Sequence, residues 1–174
     1  MAYLGRKRSR KNIDADGYRP NVGIIVANPV GQVLWARRVA HDGWQFPQGG
    51  VEHKESPREA AYRELYEEVG LYPHHVRLLG NTQDWYHYDV PRRSEMSGGF
   101  KGQKQQWYLF QLTGKDEDIQ LDRAKRPEFD NWQWVDYWKP VDEIISFKRD
   151  VYKGALAELE PVLLEACSLE SGKL

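Results

Sequence analysis

Residues 21–28 (NVGIIVAN) form an apolar run of strand length, and 32–38 (QVLWARR) form a second. Pro29, Val30 and Gly31 between them carry turn chemistry, so the two runs predict a hairpin. The glycine-bearing segment 44–50 (WQFPQGG) reads as a loop. The apolar period then changes. Ser56 is placed to cap a helix, Pro57 to occupy its first position and Glu59 to close a capping box. Gly70 stands where a left-handed C-cap is needed. Residues 76–88 offer one or two strands, 91–102 a basic glycine-containing loop, and 105–112 (QQWYLFQL) another strand. A polar connection over 114–127 leads to 131–135 (NWQWV), which alternates like a strand. A helical turn at 140–145 and a final helix over 148–166 complete the pattern, with Pro161 expected to kink or interrupt that helix. Strands interleaved with two main helices predict an α/β domain whose mixed sheet is covered by helices.

The helix over 57–69 carries the most informative polar pattern. With Glu64 at zero on a helical wheel, Glu68 falls about 40° to one side and Glu67 about 60° to the other. Ala61, Tyr62, Leu65, Tyr66 and Val69 fill the opposite arc. Stacked carboxylates repel one another. Such a cluster fits either a solvated acidic face or a site for a hard divalent cation that takes oxygen ligands.

Composition narrows the class. The chain has 174 residues, 40 % of them hydrophobic, with seven Trp, enough for one domain with a proper core. The net charge of −1 means that any affinity for polyanions must be local. One cysteine, Cys167, excludes an internal disulfide. No run approaches the roughly 20 apolar residues of a spanning helix, and no secretory h-region opens the chain, so the expected location is the cytoplasm. Residues 1–12, with Arg6, Lys7, Arg8, Arg10 and Lys11, are expected to form a disordered basic tail ahead of a domain over 13–174. Trp107, Trp132 and Trp134 are expected to be core, and the five His show no metal-ligand spacing.

Arg19, Arg38, Lys104, Lys148 and Arg149 are cations available to phosphate oxygens, although each alone is more often a solvated surface charge. Phe147 beside Lys148 and Arg149 fits a base-stacking position as well as a core one. Glu128, in PEFDNW, reads by itself as an ordinary loop carboxylate.

Gly49, Glu55, Arg63, Glu64, Leu65, Glu67, Glu68, Gly70 and Leu71 match G-x5-E-x7-R-E-U-x-E-E-x-G-U, with U aliphatic, at every specified position. By this motif the chain resembles the Nudix hydrolases. The resemblance implies an α/β/α sandwich and hydrolysis of a nucleoside diphosphate linked to another group. It also implies a divalent metal, Mg²⁺ or Mn²⁺, on Glu64, Glu67 and Glu68, with Gly49 letting the backbone approach and Arg63 bracing Glu55 or a neighbouring carboxylate.

DGYRPNVG, WQFPQGG, GQKQQW, PEFDNWQWV and SFKRDVY together resemble one subgroup, the bacterial RNA pyrophosphohydrolases and related dinucleoside polyphosphate hydrolases. That resemblance covers roughly 14–152. It implies that Glu128 joins the metal site, that Arg19 holds phosphates, and that Ile145 to Lys148 flank the first bases of an RNA. The expected substrate is 5′-triphosphorylated single-stranded RNA, cleaved to the 5′-monophosphate at the start of mRNA decay, with dinucleoside polyphosphates such as diadenosine tetraphosphate as the alternative. A non-catalytic binding module is a third reading, against which the complete glutamate cluster argues. No membrane is implied, and no protein partner is indicated. Two departures bear on specificity: Gly43 stands where relatives often carry Ser, and the 91–102 loop is short.

Overall fold

The structure, a computed structural model, describes residues 12–91 and 100–172. Among the described residues, eight strands make one mixed sheet: β1 (Tyr18–Ala27), β2 (Val33–Arg38), β3 (Trp44–Gln45), β4 (Gln48–Gly50), β5 (Val76–Asn81), β6 (Tyr86–Asp89), β7 (Gly102–Leu112) and β8 (Phe129–Val135). The path runs β3-β2-β1-β7-β5, with β4 on β1, β6 on β7 and β8 on β2. Only the β1–β7 pairing is parallel among those described, and it runs the full length of β1, from Tyr18 beside Gly102 to Ala27 beside Gln111. Three α-helices lie among the described residues: α1 (Pro57–Val69), α2 (Lys139–Glu143) and α3 (Arg149–Ser171).

Period-two alternation splits the sheet's apolar residues between two layers. Ile25, Ala27, Trp35, Trp107 and Leu109 pack under Tyr152, Ala155, Leu156 and Leu159 of α3. Val22, Ile24, Val26, Tyr108 and Phe110 face Ala60, Ala61, Leu65 and Val69 of α1. Helix, sheet and helix therefore form the expected α/β/α sandwich.

Helix α1 has the punctuation its sequence announces. Ser56 Oγ accepts from the Glu59 amide, the Glu59 carboxylate accepts from the Ser56 amide, and Gly70 closes the helix at φ 73°. In three places the structure departs from the sequence reading. Segment 44–50 is two short strands rather than a loop, because β4 pairs with β1 from Asn21 to Gly23 and β3 with β2. Helix α3 runs through Pro161 without interruption and extends to Ser171. Trp107 is fully buried, but Trp132 and Trp134 are half-buried, packed edge to face at 5.4 Å on β8, whose described pairing is to β2 on one side only. Residues 1–11 of the basic tail and 92–99 of the 91–102 loop lie outside the described residues; Asn12, at the end of the tail, donates from Nδ2 to the Val51 carbonyl at 2.6 Å. No described helix is long and apolar enough to cross a membrane.

Candidate active site

The site gathers where α1 crosses β4. Glu64 is almost fully buried, at 9 % exposure, on the helix face turned to the sheet. A Cβ on Gly49 would lie 1.9 Å from its Cδ, so only glycine leaves room for this carboxylate. Gly50 performs the same service for Arg19, whose guanidinium would meet a Cβ at 2.6 Å. The two glycines of WQFPQGG thus give space to a carboxylate and to a cation.

Arg63 organises the carboxylates from their flank. Its Nε and one terminal nitrogen grip both oxygens of Glu55 at 2.7 and 2.9 Å, and that same nitrogen reaches the Gly50 carbonyl at 2.8 Å. Its other terminal nitrogen pairs with Glu64 at 2.5 Å and Glu67 at 3.4 Å. The hydrogen bonds it donates to Glu55 hold the guanidinium above its ordinary pKa against the opposing effect of burial. The brace expected for Glu55 is in place, and it extends along the carboxylate face.

Glu68 lies deeper. One of its oxygens accepts from the Gln48 backbone N–H at 3.0 Å. Burial pushes its carboxyl well above the usual carboxylate range, and the charges of Glu64, Glu128 and Glu67 push the same way, against the Gln48 hydrogen bond. Glu128 comes from outside the helix. Its backbone carbonyl accepts from the Val39 amide at 2.9 Å, and its carboxylate stands 3.4 Å from Arg38 Nε without hydrogen-bond alignment. Among the described residues no three metal-ligating side chains already surround one point; Glu64 is turned to Arg63 and Glu68 to the Gln48 amide. The donor set nevertheless suits a hard divalent cation, since it is all carboxylate oxygen and its like charges, which raise the Glu68 pKa together with burial, call for a positive partner.

Lys148 closes the α3 side. It is buried, 5.6 Å from the centroid of the Tyr88 ring, with Nζ 3.5 Å from Gln48 Oε1. Burial, and after it the charge of Arg38, lower its pKa to about 8 against the opposing charges of Glu128 and Glu68. Phe147 is half-buried against Tyr88, with ring centroids 5.8 Å apart, and Ile145 beside it is 56 % exposed. Arg149 and Lys104 are engaged elsewhere. Arg149 donates to the Val141 carbonyl at 3.2 Å, and Lys104 pairs with Asp14 at 3.0 Å above the Trp85 ring.

Residue-by-residue reading of the sequence passed over Gln48, Tyr88, Gln103 and Gln105. Tyr88 donates its hydroxyl to Gln103 Oε1 at 2.7 Å, and burial raises its pKa. The available signal was the run of amides inside an otherwise apolar strand, GQKQQW, since buried amides require partners.

Comparison with known proteins agrees with this geometry. The NUDIX domain model matches residues 17–154. An RNA pyrophosphohydrolase of Alkalilimnicola ehrlichii is 55 % identical over 154 residues, covering 87 % of this chain and 85 % of that one. Among solved structures, the Escherichia coli dihydroneopterin triphosphate pyrophosphohydrolase shares the fold at TM-score 0.62 and 18 % identity, over 81 % of this chain and 98 % of that one. A Caenorhabditis elegans Ap4A hydrolase does so at 0.57 and 19 %, over 88 % and 98 %. The chain belongs to the Nudix family.

Proposed function

We propose that this Nudix enzyme hydrolyses the 5′-triphosphate of RNA to a 5′-monophosphate, a step that opens transcripts to decay in a bacterial cytoplasm. What supports the substrate most is the 55 % identity to an RNA pyrophosphohydrolase across most of both chains. A water oxygen attacks a phosphorus of the triphosphate and one anhydride bond breaks, releasing pyrophosphate in a single hydrolysis. Release of two phosphates takes two successive hydrolyses, each consuming one water, and in either route the water's proton passes to solvent.

Glu64, Glu67, Glu68 and Glu128 would hold the divalent cation, Mg²⁺ or Mn²⁺, which supplies charge neutralisation to the phosphates and a water of lowered pKa. The chain's own residues do the rest. Arg63 fixes Glu64 and Glu67 along one rail, and Gly49 lets Glu64 reach the sheet. Arg19, against Gly50, and Lys148, facing the Gln48 side chain, are the phosphate-binding cations, with Arg38 close enough to Lys148 to act on it electrostatically. The exposed Ile145 and the half-buried Phe147 offer an apolar wall for the first base. Lys104 and Arg149, held by Asp14 and the Val141 carbonyl, serve as rim cations that meet the RNA only after exchanging those partners.

The experiment is end-group analysis. A short 5′-triphosphate RNA incubated with enzyme and Mg²⁺ should acquire a 5′-monophosphate end as pyrophosphate or phosphate is released. A triphosphate end that survives prolonged incubation contradicts the reading.

A further inference from the structure

Behind the site stand three amides with no part in the roles above. Gln105 on β7 is 1 % exposed, and its Nε2 donates to Asn21 Oδ1 at 2.8 Å and to Gln48 Oε1 at 3.1 Å. The parallel register sets Asn21 directly beside Gln105. Gln48 Oε1 also faces Lys148 Nζ, at a long 3.5 Å.

These contacts have a direction. An ammonium donates and never accepts, so Lys148 dictates that the oxygen of Gln48 faces it. That oxygen then calls for the nitrogen of Gln105, and the same nitrogen calls for the oxygen of Asn21. One cation orients three amides in series.

The remaining polar atom of Gln105 argues against packing as the reason for an amide here. Its Oε1 has no donor among the described residues. A buried acceptor left unpaired is destabilising, and an apolar side chain of similar size would avoid it. What the amide does instead is hold the Gln48 oxygen toward Lys148.

We infer that Gln105 is a positioning residue that acts through Gln48 to hold the Lys148 ammonium where substrate phosphate binds. The inference rests on the phosphate-binding role proposed for Lys148. It separates binding from turnover. The Gln48 backbone N–H that holds Glu68 belongs to β4, which is fixed by pairing to β1 opposite Gly23, so losing Gln105 frees the Gln48 side chain and leaves Glu68 in place.

The test is a double-mutant cycle of Gln105→Met and Lys148→Met, read as KM and kcat on a 5′-triphosphate RNA and on diadenosine tetraphosphate, with thermal melting of each variant. Gln105→Met should raise KM about five-fold, the worth of one hydrogen bond, with kcat within about two-fold of wild type. In the Lys148→Met background it should add nothing, because the two act as one unit. Gln48→Met, which keeps the backbone amide, should reproduce the KM effect and takes the place of Gln105→Met in the cycle if that variant melts early. Multiplying KM effects in the double mutant, or a fall in kcat with KM unchanged, would overturn the inference. Lys148→Met without effect on KM would overturn it together with the role of Lys148. Turnover of the dinucleotide alone would remove the RNA reading, and the coupling would still be measured on that substrate.

Discussion

Gly49 and Glu64 share a space in which only one of them can have a side chain: a Cβ on Gly49 would fall 1.9 Å from the Glu64 carboxyl carbon and 2.1 Å from one of its oxygens. The smallest substitution therefore acts directly on a candidate metal ligand. Gly49→Ala should lower kcat at least about 100-fold, the scale expected for an ångström-sized misplacement. The overpacking should destabilise the fold by only about 1–3 kcal/mol. Steady-state turnover alongside a thermal melt checks both numbers. Near-normal turnover would mean that the position of Glu64 is immaterial.

Arg63 makes the complementary case. Removing its guanidinium takes that cation away from the crowded carboxylates of Glu55, Glu64 and Glu67, and that donor from the Gly50 carbonyl. Arg63→Met should destabilise the protein by about 2 kcal/mol, below the full figure for a buried pair because these groups are partly exposed. Arg63→Lys should recover little of this, since a point charge cannot fork Glu55. Urea unfolding at low salt measures the loss; equal stability of the Lys variant and wild type would refute the bidentate role.

Lys148 predicts an alkaline limb. Its folded pKa, about 8, lies below the ordinary 10.5, so the folded protein gives up this proton more readily than the unfolded chain. Between those values the unfolded state binds more protons, and the Lys148 contribution to stability rises with pH. Phosphate binding needs the charged form and should weaken over the same interval. KM should be flat below about pH 8 and climb above it, whereas Lys148→Arg, which stays charged, should keep KM flat to higher pH. An alkaline limb unchanged in Lys148→Arg would assign it to another group.

Glu68 is raised, so its sign is opposite to that of a paired carboxylate. In metal-free protein the folded state holds the Glu68 proton above the ordinary 4.5, and stability falls as pH rises from there through the elevated folded value. Glu68→Gln should therefore melt a few degrees above wild type at neutral pH in the presence of chelator, while losing nearly all turnover. Added Mg²⁺ should stabilise wild type more than the variant. A variant that melts below wild type in chelator would contradict the crowding of charge at this position.

Much of this was legible in the chain because it is local. The capping of α1 by Ser56, Glu59 and Gly70, and the placing of Glu64, Glu67 and Glu68 on one face, depend on residues within a few positions of one another. The strand character of 44–50 was not legible, because β4 exists only by pairing with β1 over Asn21 to Gly23. Nor do spacing rules reach the Gln48–Gln105–Asn21 series, which joins β1, β4 and β7 across up to 84 positions. Lys104 and Arg149 show the limit from the other side. Their charge made them candidates, but whether a cation is free to meet substrate depends on neighbours such as Asp14 that are distant in sequence.

The most direct test of the whole account is a competition in one vessel between a short 5′-triphosphate RNA and diadenosine tetraphosphate at equal concentrations, with Mg²⁺ and with Glu68→Gln as control. The RNA should turn over faster than the dinucleotide, and the substitution and chelator should each abolish that turnover. Exclusive turnover of the dinucleotide would contradict the RNA assignment, and undiminished turnover by Glu68→Gln would contradict the site itself.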